Sequence, residues 1–141
     1  MSAALPVTVI VIAKVPVPGQ VKTRLTPPFS PQEAALLARA ALTDTLEAVT
    51  AAPVARRVLA LSGSEPEETT PSWLPAGFEV IPQRGGGLDE RLAAAFTDAY
   101  ADGMPMVLIG MDTPQVTADL LTDAAMPLVS GEADAVLGPA A

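Results

Sequence analysis

The chain has 141 residues and a mass of 14.4 kDa, the size of one domain that buries about two-thirds of the surface its unfolded chain exposes. Half of the residues are apolar and 17% are charged, which excludes intrinsic disorder, and a formal net charge of −8 argues against nucleic acid and anionic membranes as partners. Cys and His are both absent, so disulfides, zinc-thiolate sites and every mechanism built on Ser-His, Cys-His or a His-bound metal drop out.

The N-terminal run from Ala3 to Ala13 is apolar, but no basic residue precedes it and Lys14 closes it. It is too short to span a membrane and lacks the basic start of a signal peptide, so the expected protein is soluble and cytoplasmic. Within that run Val7–Ala13 is rich in β-branched residues, the pattern of a strand covered on both faces in a parallel sheet. The Pro/Gly-rich stretch from Val15 to Pro28 follows as loop. Ser30, Pro31 and Glu33 then spell a helix start, with Ser as N-cap, Pro in the first turn and Glu closing a capping box. The helix is predicted from Pro31 to Ala51, with Ala35, Ala38, Leu42, Leu46 and Val49 facing a sheet and Pro53 ending it. A second strand is predicted at Val58–Leu61, after Arg56 and Arg57.

Residues 62–77 are acidic and turn-rich and read as loop. Phe78–Ile81 is a third strand and Gly85–Gly87 a tight turn. Leu88, Leu92, Phe96 and Ala99 place one apolar face on a helix that stops at Gly103. Met106–Ile109 is a buried strand. Thr117 caps a helix running to about Met126 with Leu121, Ala124 and Leu128 inward, and Asp134–Leu137 is a last short strand. Five strands interleaved with helices predict a single domain over residues 1–141, an α/β fold with a doubly wound, mostly parallel sheet. Ligands of such sheets sit beyond the carboxyl ends of the strands, where the strand order reverses.

Charge is unevenly distributed over this framework. Residues 1–32 hold Lys14, Lys22 and Arg24 and no acid, a total of +3, whereas residues 33–141 hold 5 bases against 16 acids, a total of −11. The three cations flank a loop stiffened by Pro16 and Pro18, with Gly19 permitting a turn or close approach. Arg grips phosphate oxygens bidentately and Lys acts on them as a point charge, so this loop suits a polyphosphate. Lys22-Thr23 does not make a P-loop, because the glycines that motif needs are replaced by Val21 and Pro16. After the third strand, Gln83, Gly85 and Gly86 lead into a helix N-terminus. The acids Asp89 and Glu90 in its first turn argue against phosphate there and favour base or ribose contacts. After the fourth strand, Asp112 is open to two readings, a ligand of Mg²⁺ or an Asx turn before Pro114.

Taken in order, Ala13-Lys14 through Pro18-Gly19 to Lys22-Thr23-Arg24-Leu25, Gln83-Arg84-Gly85 to Arg91-Leu92, Gly110 to Pro114, and Leu137-Gly138-Pro139-Ala140 resemble one bacterial family. It comprises predicted nucleotide-diphospho-sugar transferases of the GT-A glycosyltransferase fold. The Lys-Thr-Arg-Leu portion is also similar to phospholactate guanylyltransferases, and molybdenum-cofactor guanylyltransferases share the fold. The resemblance implies that Lys14, Lys22 and Arg24 face nucleotide phosphates and that Asp112 holds Mg²⁺ or Mn²⁺. Two departures stand out: Asp89 replaces a usual Gly, and the chain ends at Ala141 where the family continues, so the domain is expected to be C-terminally truncated, short of its acceptor side and open to self-association. The leading expectation is a metal-dependent glycosyltransferase using a nucleotide-sugar donor and an acceptor the sequence does not identify. The alternatives are a nucleotidyltransferase that consumes a nucleoside triphosphate and releases pyrophosphate, or a nucleotide-binding fragment without turnover.

Overall fold

The computed structural model describes residues 4–16, 19, 26–63, 71, 73–101, 103–111, 113, 115–133. They form β1 (Leu5–Lys14), α1 (Pro31–Ala51), β2 (Val54–Ser62), β3 (Phe78–Pro82), α2 (Leu88–Ala99), β4 (Met106–Gly110) and α3 (Ala118–Val129). The strands make one sheet in the order β3-β2-β1-β4, and every pairing in it is parallel. The predicted fifth strand, Asp134–Leu137, lies outside the described residues.

β1 is central, and the alternation of its side chains builds two cores. Val7, Val9, Val11 and Ala13 face one side with Leu42, Leu46 and Val49 of α1 and Leu121 and Ala125 of α3. Ile10 faces the other side, where Val58 and Ala60 of β2 meet Ala95 and Ala99 of α2. Both faces of the sheet are therefore covered, which explains why β1 reads as a continuous apolar run rather than an alternating one. The α/β fold is the one the element order predicts, with the sheet wholly parallel among the described residues.

α1 begins and ends where its sequence signals place it, and both bonds of the Ser30–Glu33 capping box are present. β2 begins at Val54 instead of Val58, so Arg56 and Arg57 are strand residues. In α3 the buried pair is Leu121 and Ala125, one residue out of step with the predicted Ala124. α2 departs further. Its fully buried residues are Ala95 and Ala99, while Leu88 is 67% and Phe96 36% exposed, so of the predicted stripe Leu88, Leu92, Phe96 and Ala99 only Ala99 is fully buried, and Ala95 joins it. Gly85 approaches the start of α2 closely. A Cβ on Gly85 would stand 2.7 Å from the Glu90 Cβ, so only a glycine lets the turn pack against this part of the helix. No described helix is long and apolar enough to cross a membrane.

Candidate functional site

In the order β3-β2-β1-β4, the chain moves outward from β1 through β2 to β3 and then returns to the far side of β1 for β4. The order thus reverses between β1 and β4, and the carboxyl ends of these strands are the place such sheets offer a ligand. A cleft of about 320 Å³ opens there, lined by Lys14 of β1, Ser62 of β2, Gly110, Met111 and Thr113 at the end of β4, and Leu88 and Arg91 of α2. Gln83 also reaches it. Among the described lining residues, Lys14 and Arg91 carry positive charge and none carries negative charge, in a chain of net charge −8.

The floor is tied to the sheet. The Gln83 side-chain amide nitrogen donates to the carbonyls of Ala13 (2.6 Å) and Ala60 (3.0 Å), joining the ends of β1 and β2. Because both partners are acceptors, the nitrogen must face them, and the side-chain carbonyl is what Gln83 has left for a ligand. The Lys14 backbone N–H donates to the Met111 Sδ at 3.3 Å, and the buried Thr45 hydroxyl, bonded to the Ala41 carbonyl at 2.9 Å, lies 3.3 Å from the Met111 carbonyl. The Thr113 hydroxyl donates to the Gly110 carbonyl at 2.7 Å and shapes the turn after β4.

The glycine turn before α2 is latched to that helix. Gly85 has φ +107°, a conformation that favours glycine. The Gly86 N–H donates to the Glu90 carboxylate at 3.0 Å, and the Gly86 carbonyl accepts from the Arg91 guanidinium at 3.1 Å. A carboxylate of the chain itself thus occupies the amide that an anion cradle would use. Arg84, beside Gln83, forms two 2.7 Å bonds to Asp98, and that hydrogen bonding holds the Asp98 carboxyl below the usual carboxylate range.

Of the residues singled out in the sequence, the structure brings Lys14 and Gln83 to the cleft and places Gly85 and Gly86 in the turn that leads into α2. Gly19 has φ +83°, and no atom of the described residues lies within 4 Å of a Cβ added there. Lys22, Arg24 and Asp112 lie outside the described residues, although Met111 and Thr113 on either side of Asp112 in the chain both line the cleft. No group of three or more acidic side chains that could hold a metal ion occurs among the described residues. Sequence reasoning missed Arg91, Ser62 and Thr113 as lining residues. Arg91 was legible only through the phase of α2, which the exposed leucine and phenylalanine disguise.

Among solved structures, the chain is similar to a "putative nucleotide-diphospho-sugar transferase" from Desulfovibrio desulfuricans G20, with 26% identity and a TM-score of 0.77 over 87% of this chain. The match covers 54% of that chain, so this sequence corresponds to about half of its length. No curated protein matches the sequence. A family model described as "Uncharacterized protein conserved in bacteria (DUF2064)" matches residues 45–141.

Proposed function

The chain belongs to the bacterial family DUF2064, and from that premise we propose that it forms the nucleotide-binding part of a metal-dependent, GT-A-type transferase that uses a nucleotide-diphospho-sugar donor. The observation that carries this reading is the cleft at the β1/β4 reversal, cationic on an acidic protein and built on a fold shared with the solved "putative nucleotide-diphospho-sugar transferase". In this reading Lys14, Lys22 and Arg24 bind the donor diphosphate, whose charge grows as the sugar departs. Gln83 with Gly85 and Gly86 forms the side that meets base or ribose.

A divalent cation fits the chemistry of this place. Hard cations such as Mg²⁺ need only one or two protein carboxylates when substrate phosphates complete the shell, and Asp112 falls in sequence between two cleft residues. Bound there, Mg²⁺ or Mn²⁺ would supply Lewis-acid stabilisation of the leaving diphosphate. The chain's own cations hold the same group and orient it toward the acceptor.

Thermal melts with a nucleoside diphosphate and Mn²⁺ or Mg²⁺ test the reading. Saturation at about a hundred times the dissociation constant should add about 2.7 kcal/mol of stability. The metal-dependent part of that rise should vanish in Asp112→Asn, and an unchanged rise in this variant overturns the metal assignment. Product analysis with a nucleotide sugar should show nucleoside diphosphate, whereas pyrophosphate from a nucleoside triphosphate would replace glycosyl transfer by nucleotidyl transfer.

A further inference from the structure

We propose that Arg91 is a phosphate-binding residue of the cleft, acting with Lys14 on the diphosphate of the ligand; this rests on the reading of the cleft as a nucleotide-diphosphate site. Arg91, Ala95 and Ala99 form one row at spacings of four along α2. The two alanines of that row are buried against β1 and β2, and the row continues past the carboxyl ends of the strands, where Arg91 lines the cleft.

The other arginines with described partners serve the fold. Arg56 bonds the Ala99 carbonyl and pairs with Glu79, Arg57 bonds the carbonyls of Val49, Thr50 and Ala52, and Arg84 is bidentate on Asp98. Arg91 instead donates one bond to a neutral carbonyl, that of Gly86, and no described carboxylate pairs with it. It also sits near the N-terminus of α2, where the macrodipole disfavours a cation. The fold therefore gains little from a positive charge at this position, while an anion in the cleft gains much. The bond to Gly86 limits the freedom of the guanidinium before a ligand arrives, and a guanidinium has further N–H groups to offer phosphate oxygens.

Titration calorimetry of the full chain with Mg²⁺ compares pyrophosphate, a nucleoside diphosphate and the corresponding nucleoside. Arg91→Gln should weaken pyrophosphate and the diphosphate about tenfold or more, Arg91→Lys should restore part of the loss, and nucleoside affinity should fall clearly less than that of the diphosphate. Equal losses for nucleoside and diphosphate, or parental pyrophosphate binding in Arg91→Gln, overturn the role of Arg91 and leave the cleft reading intact. A parent chain that binds neither diphosphate nor pyrophosphate overturns both. Phenylglyoxal modification of the parent, read at Arg91 by mass spectrometry, does not depend on how a variant folds. Pyrophosphate should protect Arg91, and equal modification with and without it overturns the proposal.

Discussion

Gly85 and Gly86 are neighbours with opposite tolerances. Gly85 has φ +107°, and a Cβ there would lie 2.7 Å from the Glu90 Cβ and 3.1 Å from the Glu90 carbonyl carbon, so both backbone conformation and space demand glycine. Around Gly86 the nearest atom to an added Cβ is Glu90 Oε2 at 3.9 Å, and the backbone carries no positive φ. Gly85→Ala should therefore cost about 1 to 3 kcal/mol in urea unfolding. Gly86→Ala should be neutral or stabilising by up to about 1 kcal/mol. Equal costs for the two would show that the turn does not pack on Glu90. In the sequence the three glycines are indistinguishable, because a glycine run reveals neither which residue takes the left-handed conformation nor which N–H is occupied. That information resides in Glu90, a side chain that reads on its own as a favourable first-turn acid.

At the scale of elements, the two ends of α1 show what local sequence reveals. Its N-terminus is fixed by Ser30 and Glu33, whose bonds span three residues. The Ser30 backbone N–H holds the Glu33 carboxyl below the usual carboxylate range, so the stabilisation is full above that range and fades as pH falls through the lowered value. The last turn of α1 contains no basic residue. Arg57 of β2 supplies the cation instead, donating from Nε to the Val49 carbonyl at 2.9 Å and from one terminal nitrogen to those of Thr50 at 3.2 Å and Ala52 at 2.7 Å. Arg57→Ala should cost about 2 to 3 kcal/mol by chemical denaturation, since it strips a charged donor from three carbonyls at the C-terminal end of α1. Arg57→Lys should recover only part, because an ammonium lacks the planar fork. A loss under about 0.5 kcal/mol would mean that water replaces the guanidinium. The same contact explains why β2 starts earlier than its apolar run. Two arginines look like loop, yet Arg57 lies in the strand and turns its charge toward the end of a helix.

For the molecule as a whole, the two sides of the sheet differ in kind. On the α1/α3 side, leucines and valines interdigitate, and the sequence pattern identifies α1 because large apolar residues repeat with the helical period. On the α2 side, the helix presents alanines to Ile10, Val58 and Ala60, leaving its larger apolar residues near the rim. A hydrophobic pattern weighted by size therefore rotates the expected inward face of α2 toward Phe96 and away from Ala95. The same error hides Arg91, which shares a row with Ala95, so a mistaken helix phase also concealed part of the site. Lys14, by contrast, was legible because a strand of clear boundaries ends on it. This layering yields a test that separates the two phases of α2. If Leu88, Leu92 and Phe96 faced the sheet, Phe96→Ala would cost about 3 to 5 kcal/mol, as buried aromatic truncations do. With Phe96 36% exposed, the cost should stay under about 1.5 kcal/mol. Ala95 is 3% exposed beneath it, and Ala95→Leu should force α2 off the sheet at a cost of about 1 to 3 kcal/mol. Because Arg91 stands at the top of the same row, that displacement should also weaken pyrophosphate binding in calorimetry, whereas Phe96→Ala should leave it unchanged.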